Sequence, residues 1–161
     1  MAQSMPSGSN HRLGNLDEKS KAIIVELQHD GRKSYSAIGK SVGLSEAAVR
    51  QRVSRLIDSG VMEIVAVTDP LSLGFARQAM VGVKVRGDIS KVADRLHGYD
   101  EIDYLVVTAG SFDILVEIVC ESDRHLIEFV NEELRSIDAV VDTELFMYLS
   151  LEKQKYNWGT R

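Results

Sequence analysis

The feature that most constrains the fold is a pair of short amphipathic segments joined by a glycine, over residues 34–59. The first segment, residues 35–42, places apolar side chains four positions apart, as one face of a helix requires. Gly43 then permits a tight turn, and Ser45 is a strong N-cap for the second segment, residues 46–59. This spacing is typical of a helix-turn-helix unit, in which the turn holds the second helix at an angle to the first.

A further amphipathic segment precedes this pair. Ile23, Ile24 and Leu27 recur at helical spacing, and Asp17 is either the N-cap or the first acidic residue of the helix. The first part of the chain is therefore predicted to contain three helices whose apolar faces form one small core.

The remainder of the chain changes to patterns typical of strands. Four segments rich in Val, Ile, Leu and Tyr are predicted strands: residues 78–85, 104–108, 112–119 and 140–151. Two helical segments, marked by apolar stripes at residues 89–96 and 126–134, separate them in the order strand-helix-strand-strand-helix-strand. This order predicts a ferredoxin-like βαββαβ sandwich in an α+β chain. An antiparallel sheet with helices on one face leaves its other face open, which suits dimerisation.

The two patterns divide the chain into four parts. Residues 1–15 are predicted to be a flexible arm and residues 152–161 a tail. Residues 16–77 form the helical domain, with the helix-turn-helix at about residues 35–54 and a linker strand at 62–67. Residues 78–151 form the second domain. Domains of this size are near the lower limit of independent stability, so association is expected.

Charge is distributed unevenly between these parts. The chain carries a net charge of −5, yet residues 31–60 contain six basic and two acidic side chains. Residues 69–161 contain ten basic and seventeen acidic side chains. A basic island on an acidic chain is expected when one domain meets phosphate and the other does not.

The outward side of the third helix fits entry into double-stranded DNA. Val49, Val53 and Leu56 project to one side, and small or polar side chains project to the other. A major groove about 12 Å wide admits such a helix. Candidate DNA-binding residues are Ser45, Ala47, Ala48, Arg50, Gln51, Arg52, Ser54 and Arg55. Arg32 and Lys33 are candidate clamps on the phosphate backbone of the DNA. Arg52 lies nearer the core edge, so phosphate or an internal carboxylate is its expected partner. The alternative is a three-helix domain that binds protein.

Other functional classes have little support in the sequence. The four His residues show no metal-ligand spacing, no phosphate-binding glycine loop is present, and no cofactor is expected. The single cysteine, Cys120, ends an apolar run and is interpreted as a buried hydrophobe. Without a disulfide framework, a signal peptide or an apolar stretch long enough for a membrane span, a cytoplasmic protein that is not an enzyme is expected.

Several ordered motifs give the chain a family resemblance. Leu27-Gln28-His29-Asp30-Gly31-Arg32, Val42-Gly43-Leu44-Ser45, Arg52-Val53-Ser54-Arg55-Leu56 and Ser59-Gly60-Val61 resemble the Lrp/AsnC transcription regulators, and the similarity spans about residues 16–151. The resemblance implies a winged-type helix-turn-helix, a strand-bearing linker and a ligand-sensing α/β domain. It also implies binding to promoter or operator DNA, and dimers formed through the sheets, often assembled into octamers.

The loop at residues 109–113 is the candidate effector site. From the residues alone it is a hairpin, in which Gly allows a positive φ, Ser favours turns and Asp caps a backbone group. The resemblance implies an amino-acid pocket here, at the contact between dimers. Chemically, the N–H groups of Gly110 and Ser111 suit a carboxylate and Asp113 suits an ammonium group, and Phe112 is expected to line the pocket. Ala109 replaces the Thr common in the family, which leaves the identity of the ligand open, and Phe112 replaces a common Tyr. The alternative function is an amino-acid-binding module that regulates a protein partner.

Overall fold

The computed structural model describes residues 16–160, so the predicted arm at 1–15 lies outside the described residues. The described chain divides into two compact units, residues 16–66 with 153–160, and residues 67–152. The sequence predicts a boundary at 77/78 and a separate tail at 152–161. In the structure the 3-10 turn Leu71–Leu73 belongs to the second unit, and residues 153–160 belong to the first.

The first unit contains the three predicted helices: α1 (Glu18–His29), α2 (Tyr35–Val42) and α3 (Glu46–Asp58). Each begins after a residue whose side-chain oxygen accepts a backbone N–H of the first turn. Asp17 accepts from Ser20, and Ser34 and Ser45 do the same for α2 and α3. The apolar faces meet in one buried core formed by Ile23, Leu27, Ile38, Val42, Val49 and Val53.

The turn between α2 and α3 depends on two glycines. Gly43 has a φ of 69°, in the left-handed region, as predicted for the break. The amides of Gly43 and Leu44 both donate to the Gly39 carbonyl, the latter at 2.9 Å. A Cβ on Gly39 would lie 2.6 Å from the Leu44 carbonyl oxygen. The turn therefore passes so close to α2 that only glycine fits at position 39.

The strand predicted over residues 62–67 does not form. No strand occurs in the described part of the chain before Arg77, so the first unit carries no β-wing. Val65 and Val67 are 68% and 58% exposed. A strand requires a neighbouring backbone for its ladder of hydrogen bonds, and no other described segment of this chain pairs with these residues.

The second unit has the predicted βαββαβ order. Its elements are β1 (Arg77–Val85), α4 (Ile89–Leu96), β2 (Ile102–Val107), β3 (Ile114–Cys120), α5 (Asp123–Glu128) with a π-helical extension (Phe129–Leu134), and β4 (Val140–Met147). The strands form one antiparallel sheet in the order β2-β3-β1-β4. This is the ferredoxin-like arrangement, with both helical segments on one face.

The two faces of the sheet differ in burial. Val81, Val83, Val116 and Ile118 are fully buried against the helices. Alternate positions on the other face remain accessible in the single chain, and Phe146 there is 43% exposed. This open face lies beside the loop that joins β2 to β3.

Candidate nucleic-acid interface and effector loop

The exposed side of α3 has the composition predicted for it. Ala47, Gln51, Ser54 and Arg55 are exposed, and Ala48 is half-buried. Val49, Val53 and Leu56, on the opposite side, are at most 4% exposed. Packing of that apolar side fixes the rotation of α3, so the polar side must face outward. The Ser45 hydroxyl oxygen accepts the Ala48 amide at 3.2 Å as the cap of α3, which leaves its O–H available as a donor.

Arg50 is exposed but held in place. Its guanidinium lies 2.8 Å from the Glu46 carboxylate and 5.2 Å from the ring centroid of Tyr35 on α2. The cation–π contact and the ion pair restrict its rotamers, and its side chain remains 64% exposed. Arg50 is therefore directed outward from the start of α3 while it keeps donors available for a ligand.

Arg52 is directed inward, which matches the second of its two predicted partners. Its Nη1 lies 2.6 and 2.9 Å from the two carboxylate oxygens of Asp17 and 3.0 Å from the Ser20 hydroxyl. The backbone amide of Ser20, followed by Arg52, lowers the pKa of Asp17 to about 2. This pair joins the first turn of α1 to the middle of α3, so Arg52 orients the helices.

The two candidate backbone clamps differ. The Lys33 ammonium group donates to the Glu26 carboxylate, and this bond lowers the pKa of Glu26. The Arg32 amide donates to Asp30 at 2.9 Å, whereas its guanidinium has no partner among the described residues. With respect to residues 16–160, Arg32 is therefore the unpaired cation of this connection, and Lys33 would have to leave Glu26 to contact phosphate.

The loop between β2 and β3 is closed by its own hydrogen bonds. The Thr108 amide donates to the Asp113 carbonyl at 2.8 Å, and the Thr108 hydroxyl donates to the Phe112 carbonyl at 2.6 Å. The Asp113 carboxylate accepts the Val85 amide at 2.7 Å, where the register of β1 and β4 shifts. Asp113 therefore has a structural role at the end of β1, and one carboxylate oxygen is already used.

The tip of the loop is open. Within the described residues, the amides of Gly110 and Ser111 have no acceptor, and a Cβ on Gly110 would meet nothing within 4 Å. The loop joins two antiparallel strands, as the hairpin interpretation predicts, but Gly110 does not have the positive φ expected for it. A tip with two free donors and no neighbouring side chain is accessible to a ligand or to another chain.

Phe112 lies over the open face of the sheet. A Cβ on Gly82 would be 2.6 Å from the Phe112 ring, so the ring rests directly on the strand. The Phe146 ring lies edge-on at a centroid distance of 6.1 Å, and the Lys84 ammonium group is 5.6 Å from the Phe112 centroid. The sequence alone does not predict these three neighbours of Phe112, although a glycine inside a strand, here Gly82, is a known signal of close approach.

The described residues offer little support for a metal site, a reactive cysteine or a membrane span. Among residues 16–160 there is no group of three His, Cys, Asp or Glu side chains that can hold a metal ion. Cys120 is fully buried, and burial, aided by the Glu101 charge, raises its thiol pKa to about 11. In the same part of the chain, no helix is both long and apolar enough to cross a bilayer.

Three capped helices with a polar α3, joined to a ferredoxin-like domain, define a two-domain helix-turn-helix protein. A model of the AsnC-type helix-turn-helix domain matches residues 16–57, and a model of a C-terminal dimeric alpha+beta barrel domain matches residues 75–161. The chain therefore belongs to the Lrp/AsnC family of transcription regulators.

Known transcription regulators are similar to this chain in sequence and in fold along nearly its whole length. An uncharacterized HTH-type transcriptional regulator of Pyrococcus furiosus is 34% identical over 146 residues, which cover 89% of this chain and 96% of the relative. The HTH-type transcriptional regulator FL11 of Pyrococcus horikoshii is 36% identical and covers 86% of this chain and 93% of its own length. The leucine response regulatory protein LrpA of Mycobacterium tuberculosis superposes with a TM-score of 0.80 at 26% identity, covering 90% of this chain and all of its own.

Proposed function

We propose that this regulator binds a specific DNA sequence through α3 and changes its DNA binding or assembly in response to an amino acid or a related small molecule. The observation that carries the DNA-binding part is the small, polar, exposed side of α3, fixed outward by a buried apolar side.

The residues of α3 have complementary roles in this proposal. The methyl groups of Ala47 and Ala48 contact thymine, and Gln51 reads adenine through its amide. Arg50 and Arg55 either read guanine or hold phosphate. Ser45 and Ser54 add contacts from the helix start and the exposed side. Arg32 and Lys33 hold the backbone, which positions α3 without carrying sequence information.

Selection of binding sites from random duplexes tests this assignment. Gln51→Ala and Arg50→Ala should relax the preferred sequence, because each bidentate contact with a base contributes ~1–3 kcal/mol of discrimination. Arg32→Ala should weaken all sequences alike, because phosphate contacts do not discriminate. Ser36→Ala, an exposed change on α2, is the matched control. An unchanged preferred sequence in both α3 variants would contradict the assignment.

The effector part rests on the open tip of the β2–β3 loop. Two free amides, at Gly110 and Ser111, suit a carboxylate. The second oxygen of Asp113 remains for an ammonium group, and the Phe112 ring lines the side-chain pocket. A structure of a Neisseria meningitidis regulator with this fold is a complex with L-Met, at a TM-score of 0.77 and 23% identity.

Calorimetry with a panel of the twenty amino acids tests the effector site. Asp113→Asn is preferred to Asp113→Ala, because the asparagine oxygen can still accept the Val85 amide while the charge is removed. The variant should lose ligand affinity and keep its melting temperature. Gly110→Leu should block the tip. Equal ligand affinity in wild type and Asp113→Asn would place the pocket elsewhere.

We further propose a homodimer as the minimal unit, formed through the open faces of the sheets, with octamers as the larger assembly. The exposed side chains on that face, including Phe146, support this, because large exposed apolar patches mark interfaces. Light scattering should give at least a dimer at micromolar concentration, and a monomer would contradict the proposal.

A further inference from the structure

The C-terminal tail differs in charge from the domain that precedes it. Residues 153–161 contain three basic and no acidic residues, whereas residues 69–152 contain seven basic and seventeen acidic residues. The boundary between the two compositions coincides with the boundary of the second unit at Glu152. In charge, the tail resembles the basic island of the helix-turn-helix rather than the acidic domain.

The tail also belongs to the first unit in space. The Gly159 amide donates to the Gln28 side-chain oxygen at 3.1 Å, and Gly159 has a φ of 74°, which favours glycine. Gln28 lies in the last turn of α1, directly before the connection that carries Arg32. Arg32 follows Gln28 by four residues, which span at most about 14 Å of chain. The end of the tail is therefore anchored close to the candidate backbone clamp.

Five of the eight Lys and Arg side chains in residues 16–66 are already engaged with other described residues, whereas the two lysines of the tail are not. Lys21, Lys33, Arg50 and Arg52 pair with carboxylates, and Lys19 donates to a carbonyl. In the described part of the unit, the basic side chains with no hydrogen bond or ion pair are Arg32, Lys40, Arg55, Lys153 and Lys155. Both tail lysines are exposed. Phosphate binding uses such unpaired cations, because each one releases a condensed counterion.

Aromatic side chains alternate with these lysines. Tyr156 and Trp158 are 52% and 82% exposed, and Asn157 lies between them. Lys, Asn and Tyr side chains are common donors to phosphate and sugar. A tail with only a structural role would be expected to bury its aromatic rings, whereas both rings of this tail are exposed.

We propose that residues 153–160 are a second, sequence-independent DNA-contacting element, in which Lys153 and Lys155 bind phosphates next to those held by Arg32. This inference rests on the proposed DNA binding. It assigns the tail to the positioning of the protein on the duplex, while α3 supplies the sequence preference.

The first test uses Trp158, the single tryptophan of the chain. Acrylamide quenching of its emission is measured in the full chain with and without a labelled duplex, while anisotropy of the label reports DNA binding. Protection of Trp158 that follows the anisotropy supports the proposal. Bound DNA with unchanged quenching overturns it and leaves DNA binding intact. A tryptophan already protected without DNA also overturns it, because another copy then covers the tail.

The second test is the salt dependence of affinity in charge variants. Lys153→Gln with Lys155→Gln should reduce the slope of log affinity against log salt by about 0.9 for each phosphate that is no longer neutralised. Lys153→Arg with Lys155→Arg keeps the charge and should retain the wild-type slope. The preferred DNA sequence should be the same in all three proteins. An unchanged slope in the glutamine variant, at wild-type affinity, would overturn the proposal.

Discussion

Gly39→Ala is a small change with a large expected effect on the helix-turn-helix. The new Cβ would lie 2.6 Å from the Leu44 carbonyl oxygen, a backbone atom that cannot move without opening the turn. Ordinary C···O contacts are about 3.3–3.6 Å, so the turn must move by about 0.7 Å or more. Overpacking of this kind costs ~1–3 kcal/mol, against a gain of ~1 kcal/mol from replacing glycine by alanine in a helix. Because the contacted atom is backbone and cannot rotate away, the upper end of this cost applies, and the free energy of unfolding of the first unit should fall by about 2 kcal/mol.

Amide hydrogen exchange is the appropriate assay, because it reports opening of each unit separately. Protection should decrease in α2 and α3 and remain unchanged in the sheet of the second unit. DNA affinity should fall as well, since the turn sets the angle of α3. Ser36→Ala, exposed on the same helix, is the control for helix propensity. Equal or greater protection in Gly39→Ala would refute the steric argument.

Single groups elsewhere in the chain lead to three further predictions. The pKa of Asp17 is lowered from 3.8 to about 2 in the folded chain, so its stabilisation is present above about pH 4 and is lost as the pH falls through about 2. In Asp17→Asn, the free energy of unfolding of the first unit should depend less on pH between about 4 and 2. A pH dependence equal to that of the wild type in this range would contradict the prediction. Cys120, fully buried with a pKa of about 11, should react with thiol reagents at pH 8 only after unfolding, and rapid labelling of the native protein would contradict this. Gly82→Ala should displace the Phe112 ring and lower effector affinity in calorimetry, whereas wild-type affinity would exclude the ring from the pocket.

Local signals in the sequence are sufficient for the helical part of the fold. The caps at Asp17, Ser34 and Ser45 and the turn at Gly43 are all readable, because each satisfies backbone groups within a few residues. The βαββαβ order is also readable from the change in period. These features make the architecture predictable before any distance is known.

Long-range contacts are not readable in the same way. The segment at 62–67 has the composition of a strand, but a strand also needs a partner, and composition does not say whether one is present. The requirement for glycine at positions 39 and 82 comes from atoms five and thirty residues away in sequence, Leu44 and Phe112. The apolar stripe at 126–134 predicts a helix, but it does not distinguish the π-helical extension from a continued α-helix.

The candidate site also contains features that local sequence signals predict and features that depend on long-range contacts. The exposed side of α3 follows from helical projection alone, so Gln51 and Arg55 are placed correctly on the surface. The partners of charged side chains do not follow, because Asp17 reaches Arg52 and Glu26 reaches Lys33 only after folding. The grouping of the tail with the first unit is also a property of the folded chain.

The central claim is that α3 recognises a particular DNA sequence. The most direct measurement is the affinity of the intact protein for a duplex carrying its selected site, compared with a duplex of the same length and composition with that site scrambled, at physiological salt. Sequence-specific DNA-binding proteins typically bind their sites 10³–10⁷ times more tightly than other DNA. The account predicts a preference on this scale that is largely lost in Gln51→Ala with Arg50→Ala. Equal affinity of the wild-type protein for the two duplexes would contradict it.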